Sequence, residues 1–592
     1  MMKKKLASMV LAASMAAAAL SGCAPTTSGK AEAPAATAES TSDSAAPGTE
    51  EETAAASEGG EEVVVWNLKT DQNSWDPPYV YTAQGVNLTE NLYEGLLCST
   101  TDGIVPGNAE SYEVSEDKMV YTFHLRDGLK WSDGTPITAE DYVYSWRRVC
   151  SPETASEYSY IMYPYIKGGQ EAMSGTASPE DIGVTAVDEK TLQVELTSPV
   201  PFFPELAAFI VYRPVKQEIV EANGEGWEKN PETCVTNGAY KVTEYQMGSH
   251  MLLEKNENYW DAQNVKIDKI KIVFLAEDTT ALNAYESGEI QVLSSVPTDE
   301  IVRLKTEDPN FAVQYKASTP HLAFNVDKEP VNDVNVRKAL SLAIDRVKLT
   351  EQVLKGGEIP ATGIIPPSFT YSDGTSCRKL DENGKPAAEF FIDPYDADMN
   401  IELAKQCLAD AGYPNGEGLP EIELSVGNSE NSKKRAEAII EMWKQNLNIN
   451  AKIVLLDAAT GNDTIKHGRY MVSIGGFTAD YIDPVAMLEC FMSTSVNNNC
   501  LWRWQPLALI PEDTLMNPEN KQFDEDIEKS MSADGAERDA LLKDAESVLI
   551  ENVVVAPLYY AVNTEIIDQS VITGVTKTKN GSIIFKTAKL AE

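Results

Sequence analysis

The stretch YTFHLRDGLKWSDGTPITAEDYVYSWRR, residues 121–148, decides how the rest of the chain is read. Residues 121–125 alternate large and polar side chains, the pattern of a half-buried strand. Arg126-Asp127-Gly128 and Ser132-Asp133-Gly134 are turns that place glycine where a positive φ costs least. Thr138 stands at the start of a helix predicted to run to Arg148, and Glu140 and Asp141 set negative charge at its positive end. These residues specify a strand, two turns and a capped helix, and no chemistry.

Working outward, five more segments are as well defined: TNGAY (236–240), EKNENYWD (254–261), NVRKALSLAIDR (335–346), ADAGYPNG (409–416) and GFTADYIDP (476–484). Gly238 and the alternation after it read as a turn feeding a strand. Val336, Leu340, Ala343, Ile344 and Val347 fall at helical spacing, which predicts a core-facing helix over 335–354. Residues 432–447, capped by Ser432, and 536–550 read as amphipathic helices. Residues 256–260 supply aromatic packing beside a turn. Taken together and in this order, the six segments resemble the landmarks of the extracytoplasmic solute-binding proteins that feed peptide ABC importers, the oligopeptide- and dipeptide-binding family. The resemblance covers nearly everything from Val63 to Leu590.

What the resemblance implies is an α/β fold of the periplasmic-binding-protein type II: a clam-shell of two α/β lobes with an additional inserted domain and a ligand cleft between the lobes. Lobe I would comprise 61–93, 217–315 and 563–592, the inserted domain 94–216, and lobe II 316–562. Closure of hinged lobes around a ligand is an established mode of switching. Within the cleft, Asp480 of TADY (478–481) would pair with the α-ammonium of a bound peptide, a contact favoured where water is excluded. From the residues alone, an aspartate ahead of Tyr-Ile-Asp-Pro reads first as a turn or cap residue, and only the matching motif turns it into a ligand contact; Asp483 before Pro484 reads as structural. Gly475, Gly476, Phe477 and Thr478 align with the strand that pairs with the peptide backbone, where glycine permits close approach. Tyr81, Thr82, Ala83 and Gln84 align with the facing segment of lobe I. Tyr158 matches a cleft-lining tyrosine, although the cluster Tyr158, Tyr160, Tyr163 and Tyr165 reads just as well as a packed aromatic surface. Tyr559 and Tyr560 are weaker candidates at the lobe junction. Binding of this kind resembles strand addition, with affinity from the main chain and tolerance for side chains.

This sequence also departs from the family pattern. Tyr81 replaces a frequent glutamate, and Phe477 a tryptophan. Ile465, Ile474 and Ser432 stand where some members have basic residues that meet peptide carboxyl ends, leaving Lys466 or His467 as substitutes. A tryptophan near Ala458 is missing, and Ser318 and Thr478 stand where some relatives have a disulfide. The amino-terminal anchor is thus intact and the carboxyl-terminal one in question.

The N-terminus places the protein outside the cytoplasm. Lys3-Lys4-Lys5 precedes a mostly apolar run over 6–20, shorter than the ~20 residues of a spanning helix, so 1–22 reads as a cleaved signal. LSGC (20–23) resembles a bacterial lipobox, which implies lipidation of Cys23, and acyl chains in pairs give stable anchoring. Residues 24–60, rich in Ala, Ser, Thr, Glu, Pro and Gly, read as a disordered tether. The expected location is the extracytoplasmic face of the bacterial cell membrane.

About 530 residues remain, too many for one core. A net charge of −42 argues against nucleic acid and anionic lipid headgroups. It suits cationic solutes and plain solubility alike. The eight cysteines make no dense disulfide scaffold in so long a chain; Cys490 and Cys500, flanking a polar loop, are the expected pair if any forms. No G-x-S-x-G, H-E-x-x-H or G-x-x-x-x-G-K-[ST] motif occurs, and His124, His250, His321 and His467 are scattered. No catalytic residue, metal or cofactor is therefore expected. The expected function is capture of oligopeptides for a membrane permease and its ATPases by a monomeric, lipid-anchored receptor. Alternatives are the same fold holding a dipeptide, oligosaccharide, nickel chelate or haem, a peptide sensor, and last an extracellular hydrolase.

Overall fold

Val63–Asn67 is the strand around which the first sheet is built, with Val64 and Trp66 fully buried. It pairs in parallel with Lys269–Val273 and with Val292–Leu293. Antiparallel strands extend the sheet through His250–Lys255 to Tyr240–Gln246 on one edge, and through Val562–Ile567 to Phe311–Tyr315 on the other. The structure is a computed structural model describing residues 63–101, 103–457, 461–495, 497–505 and 516–592. Cys23, the leader and the tether lie outside the described residues. Among those described, three larger sheets form, of seven, five and four strands.

The stretch that opened the sequence builds the four-stranded sheet and its helix. Val120–Leu125 buries Tyr121, Phe123 and Leu125 and leaves the alternate residues half-exposed. Burying Phe123 alone is worth roughly 1.5–3 kcal/mol. Helix Ala139–Val149 starts with a reciprocal capping box: the Thr138 amide donates to Asp141 Oδ2 at 2.7 Å, while the Thr138 side chain takes the amide of Asp141. The helix buries Tyr142, Val143, Trp146 and Val149 against the sheet.

The five-stranded sheet runs, in order, Ala451–Leu456, Ile422–Gly427, Val472–Thr478, Ser318–Phe324 and Val555–Pro557. Helices Val334–Leu342, Ala397–Asp410 and Glu430–Leu447 pack on it through Leu340, Leu408, Ile439 and Trp443. The chain crosses from the seven-stranded to the five-stranded sheet through Lys316 and Ala317, and returns through Ala561. The two crossings bond to each other: the Lys316 amide donates to the Ala561 carbonyl (2.8 Å), and the Ala561 amide to that of Ser318 (3.1 Å).

Two of the landmark segments converge on one buried carboxylate. Tyr259 Oη donates to Glu94 at 2.5 Å, Trp260 Nε1 at 2.6 Å, and Lys586 Nζ pairs with it at 3.1 Å. Asn237 clasps the main chain of the same residue, accepting from its amide and donating to its carbonyl. Gly238 is obligatory beside it, because a Cβ there would lie 2.6 Å from the carbonyl carbon of Leu92.

Three expectations are corrected. The helix predicted over 335–354 stops at Leu342, and Asp345 caps a new turn by accepting from the Lys348 amide. Arg346 explains the break, since its guanidinium takes the carbonyls of Ser341 and Ile344 that a continuous helix would use. Helix Glu430–Leu447 is capped by Ser429, not Ser432, which instead supplies the capped amide. Cys490 and Cys500 form no bond: all seven cysteines among the described residues are free. Burial pushes the Cys500 thiol up to about 12.

Arg378 and Glu546 are both buried and form an ion pair, and Glu546 also accepts the amides of Ile364 (2.7 Å) and Ile365 (3.0 Å). Glu546→Ala would strand a guanidinium and two amides out of water, a loss expected to be roughly 3–5 kcal/mol. Urea unfolding measures it, and a loss under about 1 kcal/mol would contradict the account.

Candidate functional site

Strand Val472–Thr478 pairs along its whole length with Ser318–Phe324. On its other side it meets Ile422–Gly427 only at Val472 and Ser473. From residue 474 to 478 that edge has no strand partner among the described residues. A Cβ on Gly475 or Gly476 would meet nothing closer than 3.6 Å, so the protein's own packing does not require glycine there. Bare main chain on an open edge suits the approach of another backbone. Phe477 is half-buried against the core, and Thr478 Oγ1 donates to Ser318 Oγ at 3.0 Å across the register.

Asp480 follows the strand. Its Oδ2 accepts the Tyr160 hydroxyl at 2.5 Å, and the Tyr158 hydroxyl stands near enough to favour the charged carboxylate. Asn580 Nδ2 donates to its main-chain carbonyl at 3.2 Å. Burial raises the Asp480 carboxyl above its ordinary value, opposed by the two tyrosine hydroxyls. Among the described residues no cation pairs with it. Asp483, three residues on, is committed to structure: Arg538 grips it with two bonds of 2.7 and 2.9 Å, and it accepts the Val485 amide. Two further acids border this loop. Burial pushes Glu489 and Glu205 up to about 7; Glu489 accepts from the Tyr481 hydroxyl at 2.9 Å. Phe202 stacks on Tyr481 with centroids 4.8 Å apart, so the residues just before helix Phe203–Ala207 pack against the Asp480 loop.

Asp480 lines a cavity of about 420 Å³. Its walls are the start of helix Ala83–Leu92, Tyr158 and Phe209, Thr478 and Ala479, the crossing residues Lys316 and Ala317, and residues 563–565 and 580–583. Of the residues singled out from sequence, Ala83, Gln84, Tyr158, Thr478 and Asp480 are thus brought together. Tyr81, Thr82, Gly476 and Phe477 do not line this cavity. Tyr81 is half-exposed and accepts from Asn73 Nδ2; Thr82 caps its helix by accepting the Gly85 amide at 3.0 Å. Tyr559 and Tyr560 are buried, their hydroxyls engaged by Arg435 and Arg378. His467 is exposed beside Asp463. Sequence reading passed over Phe209, Lys316 and Asn580. Lys316 stood at a predicted lobe boundary, and nothing local marked the other two.

Among the described residues no cluster of His, Cys, Asp and Glu is arranged to hold a metal ion, and no helix is long and apolar enough to cross a membrane. Two mixed sheets joined by paired crossings, with a cavity at the joint, define a solute-binding protein of the periplasmic-binding-protein type II. The model of the bacterial extracellular solute-binding proteins, family 5, matches residues 103–499, and the chain belongs to that family. It is 35% identical over 511 residues to the periplasmic oligopeptide-binding protein OppA of Escherichia coli, covering 86% of this chain and 88% of that one. It is 32% identical to the oligopeptide-binding protein OppA of Bacillus subtilis, covering 88% and 91%. The unliganded open form of the murein tripeptide binding protein MppA superposes with a TM-score of 0.74 at 29% identity, covering 90% of this chain and 97% of that one.

Because the Asp480 carboxyl titrates higher when folded than unfolded, the native state loses stability as pH rises through that interval. Asp480→Asn is therefore expected to raise the melting temperature of the ligand-free protein at neutral pH, with the gain vanishing as pH falls below the ordinary aspartate value of about 3.9. A lower melting temperature at neutral pH would contradict this.

Proposed function

We propose that this chain is the solute-capturing component of an ABC importer, that its cargo is an oligopeptide, and that Asp480 holds the cargo's α-ammonium. One observation carries the reading: a half-buried carboxylate that accepts the Tyr160 hydroxyl and has no cation partner among the described residues stands at the end of an open strand edge inside a cavity. A positive group entering there gains a charge-assisted bond where water competes least. An extended peptide laid along 474–478 would bond through its main chain, which explains tolerance for side chains. Family membership and the names of the relatives agree with this cargo.

In this reading residues 61–93, 217–315 and 563–592 form lobe I, 94–216 the inserted domain and 316–562 lobe II, with the paired crossings at 316–317 and 561 as hinge. Thr478 would contact the peptide main chain beside Gly476 and Phe477, and Tyr158 and Ala83 would close over it. Thr82 would serve by fixing the helix that carries Ala83, and Tyr81 by lying at the mouth. The chain would act as a monomeric binding protein without catalysis, tethered by a lipidated Cys23 to the outer face of the membrane. From there it would hand cargo to a permease powered by cytoplasmic ATPases. Affinity near the micromolar scale, about 8 kcal/mol, suits capture followed by release.

Asp480→Asn is expected to weaken binding of an unmodified peptide roughly tenfold or more, about 1.4 kcal/mol, without unfolding the protein. Acetylating the peptide's amino end should cost the wild type as much. Titration calorimetry reads both, and unchanged affinity in either arm would sink the reading.

A further inference from the structure

Besides Asp480, two charged side chains line the cavity, Lys316 and Glu565. Glu565 is already neutralised, because Lys577 pairs with it directly and Gln314 Nε2 donates to the same oxygen. Lys316 is not. Its main chain is fixed at the crossing, with the amide on Ala561 and the carbonyl accepting from Ser368 Oγ at 3.2 Å. Its ammonium has no carboxylate within ion-pair distance among the described residues; Glu358 acts on it only through space. Burial lowers the ammonium from its ordinary lysine value, so holding it here without a partner costs free energy. The cavity therefore holds one unmatched negative charge on the loop after strand Val472–Thr478 and one unmatched positive charge on the crossing between the sheets.

An interior that leaves one charge of each sign unpaired is complementary to a ligand carrying both. The family's basic carboxyl-end positions are Ile465, Ile474 and Ser432 in this chain, and Lys466 and His467 belong to a helix end away from this cavity. We propose that Lys316 is the specificity-determining cation of this site and receives a carboxylate of the cargo, so that the negative group is held at the crossing itself. This rests on the peptide reading above and adds to it a residue and a selectivity. A carboxylate reaching Lys316 would form a charge-assisted bond in a screened site, whereas an amide in its place would leave the ammonium unmatched.

The test is calorimetry with di- to pentaalanine as free acids and as carboxyl-terminal amides, on the wild type, Lys316→Met and Lys316→Arg. Wild type is expected to prefer at least one free acid over its amide by roughly tenfold or more. Lys316→Met should bind that acid about as weakly as the amide, with the amide's affinity little changed, and Lys316→Arg should retain most of the preference. Amides carrying an internal glutamate separate the two sources of carboxylate: rescue of binding assigns an acidic side chain to Lys316, and no rescue assigns the terminal group. Equal binding of acids and amides by the wild type, with no gain from the internal glutamate, overturns this proposal alone, as does a preference that survives in Lys316→Met. Because the wild-type comparison needs no substitution, a misfolded variant cannot rescue the idea. Failure of every peptide to bind in either form overturns this proposal and the peptide reading together.

Discussion

A half-buried carboxylate without a counter-charge is the constraint on which the site depends. Asp480 is tolerable there because the Tyr160 hydroxyl donates to it, from a residue 320 positions earlier in the chain. Such a bond forms only if the segment around Tyr160, the loop after Val472–Thr478 and the tail at Asn580 meet at one place. Burial and hydrogen bonding pull the acid in opposite directions, and burial wins. Holding the charged carboxylate there carries an electrostatic cost that a cation relieves. Asp483, gripped by Arg538, shows the same residue type three positions away under no such strain.

The landmark segments other than 476–484 support this meeting from outside the cavity. Tyr259, Trp260 and Asn237 converge on Glu94, fixing the connection between helix Ala83–Leu92 and strand Leu97–Thr100. Arg337 and Arg346 work similarly beneath the five-stranded sheet. Each is buried and directs its donors to main-chain carbonyls, Arg337 to Val331, Asn332, Asn552 and Val553, and Arg346 to Pro557, Ser341 and Ile344. With no carboxylate bonded to either, burial lowers both toward about 10. They bind helix Val334–Leu342 to the strand Val555–Pro557, which leads into the return crossing.

Local patterns were legible and shared ones were not. Strand Val120–Leu125 and helix Ala139–Val149 could be read directly because alternation and a capping box are properties of neighbouring residues. The break after Leu342 was hidden, since the hydrophobic spacing continues past it and the cause is where Arg346 places its donors. The Cys490–Cys500 pairing failed for a related reason: two cysteines flanking a loop say nothing about where each is buried. At the site, Asp480 was reached through a motif, and Tyr160 lay within a cluster equally consistent with packing. Lys316 and Asn580 carried no signal, because an unmatched charge or a free amide is defined by what surrounds it in space.

The open edge also bears on how cargo would be measured. Main-chain bonding along a strand is indifferent to side chains, so on the proposed reading discrimination must come from the ends. The edge free for pairing runs from 474 to 478, after which Ile422–Gly427 occupies it. At ~3.3 Å per residue this is roughly 16 Å of unclaimed backbone. A main chain paired there would exhaust that length within a few residues, and a longer peptide would have to leave the strand. The main chain would thus supply generic affinity over a short span. Asp480 and Lys316, which both stand at the 478 end of the edge, would decide which short chains gain most from closing the site.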